Sequence, residues 1–69
     1  MTATQKLKIA MIQLNINQLE LARRTELSQP NLSRKMNHGV YTIDDYEKLV
    51  EALGCKLEYH IILPDGTRI

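Results

Sequence analysis

Apolar residues recur at helical spacing through most of this chain and then switch to strict alternation near its end. Leu7, Met11 and Leu14 fall at i, i+4 and i+7 with Ala10 on the same side, which predicts a helix over about residues 4–14. Ile9 and Ile12 widen that stripe and predict burial on two sides. After the connector Asn15-Ile16-Asn17, a second helix is predicted. The spacing from Asn17 to Glu20 is that of a capping box, with Asn in place of Ser or Thr. Leu19, Leu21 and Ala22 are its expected inward positions. Arg23 and Arg24 fall at its end, where positive side chains suit the helix dipole.

Thr25-Glu26-Leu27 reads as a tight turn into a third helix. Ser28 is its predicted cap, through the Asn31 amide, because Pro30 has no N–H to offer. Leu32 and Met36 form its buried pair, and Asn37-His38-Gly39 ends it, with Asn37 or Gly39 in the left-handed conformation. A fourth helix is predicted after Thr42, with Asp44 and Asp45 in its first turn and Ile43, Tyr46, Leu49, Val50 and Leu53 at helical spacing up to Gly54. Beyond Gly54, Leu57, Tyr59, Ile61 and Leu63 alternate with other residues, the pattern of a half-buried strand. Pro64-Asp65-Gly66 is a turn signal. The chain therefore reads as mainly α, with four helices over residues 1–54 and a strand segment over 55–69.

Size sharpens this picture. Sixty-nine residues bury a modest fraction of their surface, and oligomerisation is a common remedy. A net charge of +1 is uninformative, but its distribution is not. Lys6, Lys8, Arg23, Arg24, Arg34 and Lys35 face only Glu20 and Glu26 in one half. Asp44, Asp45, Glu47, Glu51 and Glu58 dominate the other. A basic half beside an acidic half is a local footprint for a polyanion, with solvated mixed faces as the plainer alternative. Cys55 is the single cysteine, which excludes an internal disulfide and favours an intracellular setting. No apolar run approaches a membrane span. His38 and His60 lack metal-ligand companions, and no triad or acid pair assembles, so no metal, cofactor or enzymatic activity is expected.

The stretch 17–37 carries the functional signal. Two short helices are broken by a turn, and the second sets polar and basic side chains opposite its apolar anchors. A helix built this way packs one side on a core and enters a DNA groove with the other. Arg34 suits guanine O6 and N7 or a phosphate, Ser33 either a base or solvent, and Asn31 and Lys35 suit phosphates.

The same stretch resembles the helix-turn-helix of the Cro and lambda-repressor (XRE) family of bacterial and phage regulators. The slots Asn17-Gln18, Glu20-Leu21-Ala22, Glu26, Ser28-Gln29 and Leu32-Ser33 follow that pattern, and the resemblance extends to about Gly54. Two slots depart from it. Glu26 stands where a turn glycine is usual, at a cost of roughly 1 kcal/mol if φ is positive there. Pro30 stands where a polar base reader is frequent, although its ring can touch a thymine methyl.

The resemblance implies a four-helix lambda-repressor-like domain that binds double-stranded DNA in the bacterial or phage-host cytoplasm. It implies base contacts from Gln29, Pro30, Ser33 and Arg34. Phosphate contacts fall to Asn17, Gln18, Asn31, Lys35, Asn37, Tyr41 and Thr42. A fifth helix is common in the family after Gly54; a strand here matches members that dimerise through a C-terminal strand. Leu57, Tyr59, Ile61 and Leu63 are then dimerisation residues, and the alternative is a hairpin onto residues 67–69 within one chain. The expected function is a sequence-specific regulator acting as a homodimer on a palindromic operator. The alternative is a protein-interaction module, such as an antitoxin or a partner of an antirepressor.

Overall fold

A computed structural model describes residues 1–69. Four helices form, in order α1 (Ala3–Leu14), α2 (Gln18–Thr25), α3 (Gln29–His38) and α4 (Ile43–Ala52). Each begins on a side-chain cap. Thr2 and Gln5 exchange hydrogen bonds across a capping box that starts α1 slightly before its periodicity does. Asn17 Oδ1 accepts from the Glu20 amide at 2.8 Å, Ser28 Oγ from the Asn31 amide at 3.2 Å and Thr42 Oγ1 from the Asp45 amide at 3.0 Å. Each such bond satisfies a donor that the helix leaves open.

The helix ends matter more for the site. Asn15 closes α1 in the left-handed conformation, φ 57°, with Ile16 N reaching back to Met11 O at 2.9 Å. Glu26 closes α2 at φ 60°, and Leu27 N bonds Ala22 O at 3.2 Å. The turn therefore demands positive φ at the slot where a glycine is usual, and a glutamate occupies it under strain. Replacing Glu26 with glycine is expected to stabilise the protein by about 0.5–1 kcal/mol, the relieved strain less glycine's greater freedom in the unfolded chain. Thermal unfolding by circular dichroism should rise by a few degrees; an unchanged or lower midpoint would mean that the glutamate sits there without penalty.

Eight residues form the core: Leu7 and Met11 of α1, Leu21 and Ala22 of α2, Leu32 and Met36 of α3, Leu49 of α4 and Leu53 just after it. The axis of this packing is α2, against which α3 and α4 both lie. Leu19 is 61 % exposed, contrary to expectation. Positions 19 and 21 are separated by about 200° on a helix, so they cannot share an inward face. The same geometry turns Ile9 outward and leaves Ile12 78 % exposed. The outer side of α1 meets no second layer. Leu14, in the last turn, and Ile43, in the first turn of α4, are also exposed.

Polar bonds pin the N-terminus of α1 to this core. Tyr46 donates its hydroxyl proton to Ala3 O at 2.7 Å, and Thr4 Oγ1 donates to Met36 O at 3.0 Å. Tyr41 meets Thr4 Oγ1 at 2.6 Å and packs edge-on against Tyr46, with ring centroids 5.1 Å apart.

The segment after Gly54 corrects the expectation of a strand beginning at Leu57. No regular strand forms; the pairing is confined to a small hairpin with an antiparallel bridge between Ile62 and Arg68. Ile61 and Ile69 exchange both backbone bonds, at 2.9 and 2.8 Å, and Leu63 N donates to Thr67 O at 2.8 Å. The hairpin alternative therefore holds within the chain. Its short arm is viable because the turn is well made. Gly66 takes φ 91° and donates to Leu63 O, while Asp65 Oδ1 accepts from Thr67 N at 2.9 Å. The Thr67 amide, with the Thr67 side chain second, holds the Asp65 carboxyl below the usual carboxylate range.

Leu57 is half-buried beside Tyr46, whereas Tyr59, Ile61 and Ile62 are exposed. The radius of gyration is 13.5 Å, against about 11 Å for a compact chain of this length. The long dimension is 44 Å, and the longest helix spans only about 18 Å. The hairpin is thus an arm that projects from the helices.

Candidate nucleic-acid interface

The face of α3 follows from its two anchors. With Leu32 and Met36 directed at the core, helical geometry sends Pro30, Arg34 and His38 to the opposite side, one turn apart. All three are exposed, as are Gln29, Asn31 and Asn37, and Ser33 is half-buried at the flank. Of the expected base readers, Pro30 and Arg34 therefore sit centrally. Gln29 lies at the first helical position and Ser33 sits to one side. His38 shares the stripe with Arg34 and escaped sequence reasoning, where it was weighed only as a metal ligand. Its spacing of four from Arg34 was the available signal.

The cations divide into committed and free ones. Arg23 forks onto the Glu20 carboxylate, with Nε to Oε2 at 2.9 Å, and holds that carboxyl below its usual range. Arg24 donates to Ala52 O at 3.1 Å and lies 3.9 Å from Glu20. Lys35 bonds Asp45 Oδ2 at 3.0 Å, and this contact is the main reason the Asp45 carboxyl is also lowered. Lys6, Lys8 and Arg34 make no ion pair. The basic half of the sequence thus exposes fewer free charges than its composition implies. Arg34 is the one lysine or arginine on α3 without an ion pair.

The N-terminus of α2 is the second part of the surface. Asn17 caps it, and the Gln18 and Leu19 amides have no partner within the chain. Gln18 is half-buried and directs one amide N–H to the Met36 sulfur at 3.5 Å, leaving the other N–H to donate outward. Lys8, Asn15, Asn17 and Gln18 line one cleft of about 480 Å³ between α1, α2 and Met36. Free amides, a helix dipole and a lysine at one spot suit an anion. Lys8 had no local signal in the sequence, because its position beside Gln18 depends on how α1 packs.

At the other end of α3, Asn37 and Thr42 are exposed on the connection to α4. Tyr41 has a partner inside the chain. Thr4 spends its hydroxyl proton on Met36 O, so Tyr41 must donate its own to Thr4, and none remains for a phosphate. Its hydroxyl anchors α1 instead. Lys35 is engaged as well: Asp45 holds its ammonium at 3.0 Å, so a phosphate would have to compete with that carboxylate.

No helix is long and apolar enough to cross a membrane. Comparison with curated proteins and with solved structures yields no match. One family model, described as a Cro/C1-type HTH DNA-binding domain, matches residues 6–58, which takes in all four helices except the start of α1. With a two-helix unit whose second helix turns an exposed polar stripe away from the core, the chain belongs to the Cro/C1-type helix-turn-helix (XRE) family of DNA-binding domains.

Proposed function

We propose that this protein is a non-catalytic, sequence-specific transcriptional regulator that binds a palindromic operator as a homodimer and represses by occluding polymerase. The observation that carries the reading is the α3 face, where Arg34 stands free and exposed between Pro30 and His38 on the side opposite Leu32 and Met36. In this reading α3 enters the major groove, with Gln29, Pro30, Ser33 and Arg34 toward the bases. Phosphates lie against Asn17, Gln18, Asn31, Asn37 and Thr42. Residues 1–54 form the DNA-binding unit and residues 55–69 the dimerisation segment.

The projecting arm supports the dimer. Ile61 and Leu63 turn their backbone groups toward residues 67–69, so those of His60 and Ile62 face the opposite edge and have no partner. An open edge flanked by exposed Tyr59, Ile61 and Ile62 is what a two-fold mate would cover. Replacing Tyr59 with aspartate is expected to shift a dimer to monomer in sedimentation equilibrium; an unchanged mass would remove the arm from the dimer interface. The same arm also favours the second reading, a module that captures another protein, as in antitoxins.

Selection of bound sites from random DNA separates the two readings. Half-sites about 34 Å apart, one helical turn, are expected for a dimer with two recognition helices. Failure to enrich any sequence would leave protein interaction as the better account.

A further inference from the structure

Helices α3 and α4 both lean on α2, and Lys35 to Asp45 is the one ion pair that joins α3 to α4 directly. It spans a cleft of about 180 Å³ floored by Thr25, Leu27 and Leu49. Lys35 sits on the flank of α3, at about 80° from the core direction, between the buried face and the exposed stripe. Left free, it would be a natural phosphate ligand. Phosphate contacts add affinity for every sequence alike and carry no base information.

We infer that Asp45 is a specificity-determining residue: by holding the Lys35 ammonium against α4, it keeps that charge off the DNA backbone, so that Arg34 is the recognition helix's only uncommitted basic side chain of lysine or arginine type. This rests on the DNA-binding reading above. The latch needs an ionised carboxylate. Lys35 chiefly, and with it the Thr42 hydroxyl and the Lys48 charge on α4, favour that form, so the latch is closed at neutral pH and opens only as pH falls through the lowered Asp45 value. A half-exposed pair of this kind is weak, so it competes with a phosphate rather than forbidding one. The result is a bias toward base readout over backbone attraction.

The test is a salt titration of binding to the selected site and to unrelated DNA, by fluorescence anisotropy. It uses the wild-type protein, Asp45→Asn, Lys35→Ala, the double variant, and Asp44→Asn as a control that removes an equal charge from an exposed neighbour without an ion pair. Asp45→Asn is expected to steepen the salt slope on unrelated DNA by about one. Diluting salt from about 200 to about 50 mM then raises affinity about three- to fourfold more than for wild type. The ratio of specific to unrelated affinity falls. Lys35→Ala alone lowers the slope by less than Asp45→Asn raises it, and in its background Asp45→Asn gains nothing. Disturbed folding would reduce binding, so it cannot mimic this gain. An equal gain in Asp44→Asn, or a gain that survives Lys35→Ala, would show a general charge effect and overturn the latch while leaving DNA binding intact. Absence of binding by every form, wild type included, would overturn the DNA-binding reading and the latch with it.

Discussion

Replacing Arg34 with alanine is expected to weaken binding to the selected site by about 5- to 150-fold, the equivalent of about 1–3 kcal/mol, and to flatten preference at one base pair. The size follows from the uneven division of cations. Arg23 and Arg24 are tied to Glu20 and Ala52, and Lys35 to Asp45, whereas Arg34 has no partner at the centre of the exposed α3 face. An unpaired guanidinium enters a groove without first breaking an ion pair, and its planar fork matches guanine O6 and N7. The effect must be position-specific. Gln18→Ala, which removes an amide beside the free N–H groups of α2, serves as the contrast, because a phosphate contact weakens all sequences alike. Competition binding with single-base variants of the selected site reads out the difference. A uniform loss across all variants for Arg34→Ala would move this residue to the backbone and leave Gln29 and Ser33 to read bases.

What the sequence made legible was local. The caps Asn17, Ser28 and Thr42 each bond the amide three residues on, a distance within reach of one turn. At Glu26 the slot raised positive φ only as a condition, and the backbone meets it at 60°. The apolar pair Leu32–Met36 could be read from spacing alone, because α3 has no other large aliphatic residue to offer a competing face. Leu19 shows the limit: three apolar residues within four positions define no direction until the neighbouring helices choose one.

Contacts between distant residues were out of reach. Lys35 and Asp45 are ten residues apart, and Thr4 and Tyr41 are thirty-seven apart. Nothing in the sequence pattern marks the proton that Tyr41 gives up or the charge that Lys35 loses. Composition therefore overstated the free basic surface, and it did so through carboxylates that also lie in the sequence. The arm is the intermediate case. Its turn was legible in Pro64-Asp65-Gly66, but a short return arm and a two-fold mate offer the same alternating pattern similar partners, and turn chemistry decided in favour of the hairpin for residues 61–63.

The recognition surface depends on a core too small to absorb a large loss. Leu32 has no exposed surface and lies on the side of α3 opposite Arg34, so its packing on α2 sets the pose of the whole exposed stripe. Leu32→Ala removes buried methyl groups and leaves a cavity, at a cost of about 2–5 kcal/mol. A domain of this length is stable by only about 3–10 kcal/mol. The variant is therefore expected to melt about 10–30 °C lower by circular dichroism and to be largely unfolded at 37 °C if the wild type lies at the low end. DNA binding should vanish together with helix content. Arg34→Ala should instead lose binding with the melting temperature unchanged, since its side chain touches no core residue. A volume-conserving change beneath the same helix, Met36→Leu, should cost less than about 1.5 kcal/mol and preserve the fold, while removing the sulfur that accepts from Gln18. If Leu32→Ala melted within a few degrees of wild type, α3 would not be seated on Leu32, and the assignment of its opposite face to DNA would lose its geometric basis.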